Sequence, residues 1–247
     1  LMLGNVFQQF YTVVDTAIVG QALGVNALAA LGAADWLNWL VLGLIQGFAQ
    51  GFSIYMAQRF GAEDHEGLNR SIGATISLSA VISILTVILS QVAMAPVLRA
   101  MNTPEEIIGG AFTYLRIMFA GIPIIMAYNV LASILRALGD SKTPLWFLIA
   151  SSVGNIVLDA VFVIVFHWGV GGVAWATFLA QGVASACAFW AVLHRLKSVE
   201  TKEKPALFSG AMLRRISIVA IPSILQQSFV SVGNLCIQGL VNGFGSS

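Results

Sequence analysis

The sequence predicts an all-α polytopic membrane protein: a six-helix transmembrane lobe, a polar linker and a seventh transmembrane helix. Three observations carry this reading. Of 247 residues, 58% are hydrophobic and only 9% charged, whereas a soluble domain carries about 25% charged residues. Apolar runs of membrane length recur between short polar breaks. Lys and Arg crowd into every second break, as the positive-inside rule requires.

A membrane helix needs about 20 apolar residues. Runs bounded by charges, Gly/Pro or polar clusters give spans at 1–22, 35–57, 71–95, 112–135, 145–166, 171–193 and 216–242. The first has no basic lead and no small-residue cleavage site, so it is a span and not a signal peptide. Segments 58–70, 136–143 and 194–215 hold ten of the twelve Lys and Arg. That split puts them, and the start of the chain, in the cytoplasm; a multi-pass protein of the cell inner membrane is expected. Loops 23–34, 96–111 and 167–170 then face outside, and Trp36, Trp39, Trp168 and Tyr114 fit an interfacial aromatic belt. The linker 194–215 reads as a solvated cytoplasmic loop, with a lipid-binding or regulatory role as the alternative.

Composition also excludes functions. A formal net charge of +1 leaves no broad basic surface for nucleic acid. Cys187 and Cys236 both lie in apolar segments and indicate neither a disulfide framework nor a metal site. His65, His167 and His194 sit at loop edges without ligand spacing. No cofactor, structural metal or enzyme activity is expected.

An internal echo sets the domain organisation. Laying Leu1–Gly24 over Ser223–Ser246 aligns Phe7 with Phe229 and Val19 with Val241. Six spans precede the linker and the seventh follows it, so two parallel units are expected. The lobe is 1–193, the linker 194–215, and 216–247 the first helix of a second lobe. The chain is expected to be a fragment, clipped in its first helix and after its seventh.

The polar groups inside the spans point to function. A carboxylate at mid-bilayer opposes insertion by roughly 2.5–3.5 kcal/mol, and Asp15 and Asp159 lie deep in the first and fifth spans. No Lys or Arg occupies the middle of any span to pair with them. Gln8, Tyr11 and Asp15 share one helical face, as do Ser152, Asn155 and Asp159, and Thr177, Gln181 and Ser185. Such stripes must face one another or water. Interhelical hydrogen bonding, at about 0.6 kcal/mol per contact, explains the neutral groups but not two carboxylates. Asp15 and Asp159, with Asn155 and Thr177, are therefore read as a cation or proton site. Burial favours the neutral acid, and the ionised pair with Asn155 and Thr177 offers hard oxygen ligands to a small cation such as Na+. Tyr128, Asn129 and Gln46 join Gln8, Tyr11, Ser152 and Gln181 as candidates to line a cavity.

Other features read as architecture. Gly43, Gly47 and Gly51 form consecutive GxxxG steps for close helix packing. Asp35 is placed to cap the outer end of the second span. Pro123 with Gly121 predicts a kink in the fourth.

Several stretches resemble the multidrug and toxic compound extrusion (MATE) transporters in their prokaryotic branch. FYTVVDTAIVGQALG resembles the family's first helix, and GNIVLDAVFV with GVGGVAWATFLAQ its fifth and sixth. SILRALGDSKTPL and MAQRFGAEDHEGLNRSIG are similar to its fourth-to-fifth and second-to-third loops. The resemblance implies a twelve-helix antiporter of two six-helix lobes, monomeric when complete, rocking about a central cavity. It implies that Asp15 works with Asn155 and Asp159, with Thr177 and Gln8 at matching positions. It also implies export of a small organic, cationic substrate through the lipid membrane in exchange for H+ or Na+. The family's first-helix proline would precede Leu1, and Pro222 is its counterpart before the seventh span.

The residues disfavour two other readings. A flippase for lipid-linked or amphipathic compounds in the wider superfamily should carry Arg or Lys toward its cavity, and the spans offer only Arg116. An intramembrane aspartyl protease would need a GxGD-type motif. Its nearest match, Ala137-Leu138-Gly139-Asp140, lacks the first Gly and lies in a cytoplasmic loop.

Overall fold

The computed structural model describes residues 13–14, 16–100, 103–197 and separate helical positions between 214 and 229. Gln8, Tyr11, Asp15, the linker and most of the seventh span lie outside the described residues. Every regular element among the described residues is helical. In chain order they are α1 (residues 16–23), α2 (Val25–Gly61), α3 (His65–Ala100), α4 (Glu105–Ala120), α5 (Ile122–Ala137), α6 (Lys142–Asp159) and α7 (Gly169–Leu196). A π-helical segment, Ala160–Val165, continues α6. Helices α2, α3, α6 with its π segment, and α7 are each long and apolar enough to cross a membrane. α4 and α5 together form one span bent by 47°.

The spans differ from the sequence reading in three places. The expected outer loop 23–34 shrinks to Gly24, and 25–34 belongs to α2. Ala30 and Ala34 are buried within that stretch, so its small side chains pack instead of bridging. Asp35 is then ten residues inside α2 and caps nothing, since the N-cap is Gly24. Tyr114 is 6% exposed and belongs to the core, not to an aromatic belt. Trp39 and Trp168 do sit on the outside.

The bend between α4 and α5 has an identifiable cause. Pro123 has no N–H to offer the Phe119 carbonyl, and the Gly121 N–H, the last regular donor of α4, is shared between the Ile117 and Met118 carbonyls. Gly121 also lies under the Phe178 ring of α7. A Cβ there would sit 2.9 Å from Phe178 Cδ2 and 3.2 Å from the Met118 oxygen.

Helix α2 packs on α3, α4 and α5, and α7 packs on α4, α5 and α6. Gly43, Gly47 and Gly51 are all buried, as their spacing predicts for a close helix contact. On α7 the same device is built from Ala176, Ala180, Ala184 and Ala188, four residues apart and buried. Small residues let backbones approach where lipid supplies no hydrophobic drive between helices. α3 carries a buried row of Ser71, Thr75, Ser79 and Ser83, with Ile84, Ile88, Leu89 and Val92 exposed on the other side. Ser71, Ser79 and Ser83 each donate to a carbonyl of the preceding turn, at 2.7–2.9 Å. These three hydroxyls thus enter the interior with their donors met, whereas the Thr75 hydroxyl is buried with no hydrogen-bond partner among the described residues.

Two of the Lys/Arg-rich turns are built alike. After α2, the Asp64 carboxylate accepts the Gly67 N–H at 2.9 Å and pairs with Arg59 at 2.9 Å. After α5, Gly139 takes φ 82°, a conformation that costs glycine little. Asp140 then accepts the Thr143 N–H at 3.0 Å and its hydroxyl at 2.7 Å. The chain from Ala137 to Asp140 is thereby a capping turn for α6. Burial pushes the Asp140 carboxyl up, but the Thr143 donors, the Arg195 charge and the Lys142 N–H hold it below the usual carboxylate range.

Two outcomes follow. Gly121→Ala forces Phe178 or the α4 backbone to move and should cost about 1–3 kcal/mol, read as a lower unfolding temperature in detergent. Asp140→Ala removes the cap and should cost about 1 kcal/mol at neutral pH. Because the folded carboxyl is depressed, that stabilisation is complete above its unfolded value. It is lost as pH falls through the folded one. Unfolding measured across acid pH should therefore show the two proteins converging.

Candidate functional site

The site is assembled on the antiparallel pair α6 and α7, joined by the short turn at residues 166–168. Residues three and four apart on a helix share a face. Ser152, Asn155 and Asp159 are accordingly buried together on α6, at 6%, 4% and 0% exposure. The facing strip of α7 has only small or apolar residues, Val173, Ala174 and Ala176, before Thr177.

The polar side chains meet across this seam. Asn155 Nδ2 donates to Thr177 Oγ1 at 3.2 Å, and Thr177 Oγ1 donates to the Val173 carbonyl at 3.1 Å. Ser152 Oγ donates to the Leu148 carbonyl at 2.8 Å. Gln181 Oε1 is buried and accepts no hydrogen bond among the described residues. These side chains line a cleft with Leu148, Ser151 and Ala180. Its volume is ≈ 30 Å³, room for a water or a small ion and far below the roughly 300 Å³ of a drug pocket. Asp159 follows one turn beyond Asn155, at the junction with the π segment.

Four of the sequence candidates therefore gather in one place: Ser152, Asn155 and Thr177 with Gln181, and Asp159 continues their row. Three others are placed elsewhere. Tyr128 donates its hydroxyl to the Pro144 carbonyl at 3.2 Å and ties α5 to the start of α6. Asn129 Nδ2 bonds the Ile125 carbonyl of its own helix at 2.8 Å. Gln46 is exposed on α2. None of the three lines the cleft, because a helical face says what is polar but not which neighbour it meets. Ser151 lines the cleft and was missed. Its only sequence signal is its place beside Ser152, one position off the polar stripe.

Chemically, a buried carboxylate, an amide and a hydroxyl make a set of hard oxygen atoms, suited to H+ or an alkali cation. Among the described residues no group of three His, Cys, Asp or Glu side chains comes together. The cleft lining also contains no Lys or Arg.

The sequence model of the MatE family matches residues 1–161. The chain belongs to the MatE family. A probable multidrug resistance protein, YpnP, of Bacillus subtilis (strain 168) is 33% identical over 246 residues, covering 99% of this chain and 55% of the relative. The MatE chain is similar to an outward-facing multidrug resistance MATE family transporter of the MOP superfamily, with TM-score 0.86 and 29% identity. That match covers 99% of this chain and 54% of the other. A second similar structure is a MOP superfamily transporter from Pyrococcus furiosus Vc1 (DSM3638), with TM-score 0.84 and 31% identity, over 95% of this chain and 52% of that one. Its binding pocket is described as of reversed polarity, suggesting a different function. The chain spans about half the length of the curated relatives it matches. The MatE match takes in Asn155 and Asp159, while Thr177 and Gln181 fall beyond its end.

Thr177→Val keeps the shape and removes both hydrogen bonds of the hydroxyl. If Thr177 only joins helices, the loss should be about 0.6 kcal/mol per bond, measured by unfolding in detergent. A larger effect on cation binding than on unfolding would assign it to the site.

Proposed function

We propose that this chain is the N-terminal lobe, with the first helix of a second, of a secondary active efflux antiporter. The transporter exports small organic, cationic compounds in exchange for H+ or Na+ by alternating access. It acts as a monomer in the cell inner membrane, with its N-terminus in the cytoplasm. The observation that carries this reading is the fully buried Asp159, in one row with Asn155 and its partner Thr177. Separation of a carboxylate from water is costly in a membrane, and a site that alternately takes up and releases a cation gives that cost a use.

In this scheme a cation entering from outside neutralises Asp159 together with Asp15 of the first span. Neutralisation redraws the hydrogen bonds of the two helices, which favours release of the organic substrate outward. The ≈ 30 Å³ cleft suits the ion and not the exported compound. The larger cavity is assigned to the face shared with the second lobe, with Gln8 and Tyr11 among its lining. Transport needs a difference in affinity between the two orientations of the lobes, and the cation supplies it.

A second reading, a flippase or exporter of lipid-linked or amphipathic compounds, has one observation behind it: the reverse polarity of the binding pocket in the similar Pyrococcus furiosus transporter is described as suggesting a different function. The antiporter reading is preferred because the similar Bacillus subtilis YpnP is described as a probable multidrug resistance protein.

The test is export of a fluorescent cationic dye from proteoliposomes holding the full-length protein, under a pH gradient or a Na+ gradient imposed separately. Dye movement driven by one gradient and abolished by Asp159→Asn or Asp15→Asn is the expected result. Gradient-driven export that survives both substitutions would sink the coupling role.

A further inference from the structure

The π-helical turn that follows Asp159 has no part in the scheme above, yet it adjoins the carboxylate. The Ala160 N–H still reaches Ile156 O, four residues back. The Phe166 N–H reaches Val161 O, five residues back, at 3.0 Å. The helical ladder therefore changes pitch just past Asp159. One residue more than an α-helix would hold turns the outer end by about 100° relative to the carboxylate. A π turn is rare and persists only where its surroundings hold it.

Here three contacts hold it. The Phe162 ring stacks on Trp168 with centroids 4.8 Å apart. The Trp168 N–H donates to Phe162 O at 2.9 Å. Gly172 of α7 lies against Phe162, so that a Cβ at 172 would come 3.2 Å from Phe162 Cβ and 3.3 Å from its carbonyl carbon.

These contacts share a register with the site. Phe162 meets Gly172, and Asn155 meets Thr177. Seven residues separate the two contacts on α6 and five on α7, in opposite chain directions. Asp159 falls between them. Its position relative to Asn155 and Thr177 is thus fixed at both ends of the seam, by a hydrogen bond on one side and by the packed π turn on the other.

We propose that Phe162 and Gly172 are positioning residues for the cation site: by locking the π turn against α7, they hold the Asp159 carboxylate in register with Asn155 and Thr177. This rests on the reading of Asp159 as a cation-coupling group. Few other charges bear on it. α7 brings no ionisable side chain between Gly169 and Leu193 except the exposed Cys187, and the π turn brings none. α5 brings Tyr128, bonded to Pro144 O, and Arg136 in its last turn. Tyr11 and Asp15 of the first span lie outside the described residues.

The experiment compares Gly172→Ala with Gly171→Ala in the full-length protein, reading the Na+ or H+ concentration that gives half-maximal dye export. Gly171 is the matched control, because a Cβ there meets only Thr113 and Ile117, at 3.6 and 3.7 Å, ordinary contact distances. A shift of a few tenths of an ångström in a ligand set should raise the half-saturating concentration for Gly172→Ala by about fivefold or more. Gly171→Ala should stay within about twofold. Should Gly172→Ala not accumulate folded, Trp168→Leu removes the stacked ring at an exposed position and should raise it about threefold. A half-saturating concentration unchanged in the folded variants overturns the proposal. Asp159→Asn, run beside them, separates the two ideas. Loss of cation dependence there with no shift in the others rejects only the positioning role. Cation dependence retained there rejects the site itself.

Discussion

Inside a bilayer a polar group has no water to fall back on, so each one must find a partner within the protein or serve a purpose that repays its burial. The organisation of this chain follows from that constraint. Along the described spans the backbone is helical, and at the turns between them the Asp64 and Asp140 carboxylates take up free N–H groups. The Ser71, Ser79 and Ser83 hydroxyls of α3 fold back onto their own helix, which lets these serines occupy a packed face. Tyr128 reaches Pro144 O, and Asn129 turns to its own backbone. Once these neutral groups are accounted for, the seam between α6 and α7 stands out as the place where polar atoms line a space.

That seam is narrow because its walls are. The small residues of α7 bring it against its neighbours, and the Phe162–Gly172 contact closes the outer end. A cleft of ≈ 30 Å³ between two closely packed helices has room for a water or a small ion. The bend at Gly121 belongs to the same packing problem, since the turn passes under Phe178 of α7. The kinked span and the polar seam thus share one helix as their common support. A displacement of α7 would be felt at both.

Much of this was legible in the residues. Charge distribution and apolar run length gave the spans, because insertion into lipid depends on composition over about 20 residues and hardly on order. The face shared by Ser152, Asn155 and Asp159 follows from helical spacing, which lipid does not alter. The kink was legible too, since proline removes a donor wherever it sits. Gly24 and Tyr114 depend instead on contacts far along the chain. A stretch of Ala, Leu and Gly reads equally well as loop or helix until its packing partner is known, and an aromatic ring near a span end faces lipid or core as the neighbouring helices decide.

The sequence by itself determined the helices, their apolar and polar faces and the carboxylates set into them, because each depends on residues within a few turns. Tertiary structure decided which polar faces meet. It set Asn155 against Thr177 and left Tyr128, Asn129 and Gln46 out of the cleft. It also put a π turn directly after Asp159, which no local pattern announces. A helix widens by one residue only when contacts from another helix, here Gly172 and the turn at Trp168, make the wider form fit better than the regular one.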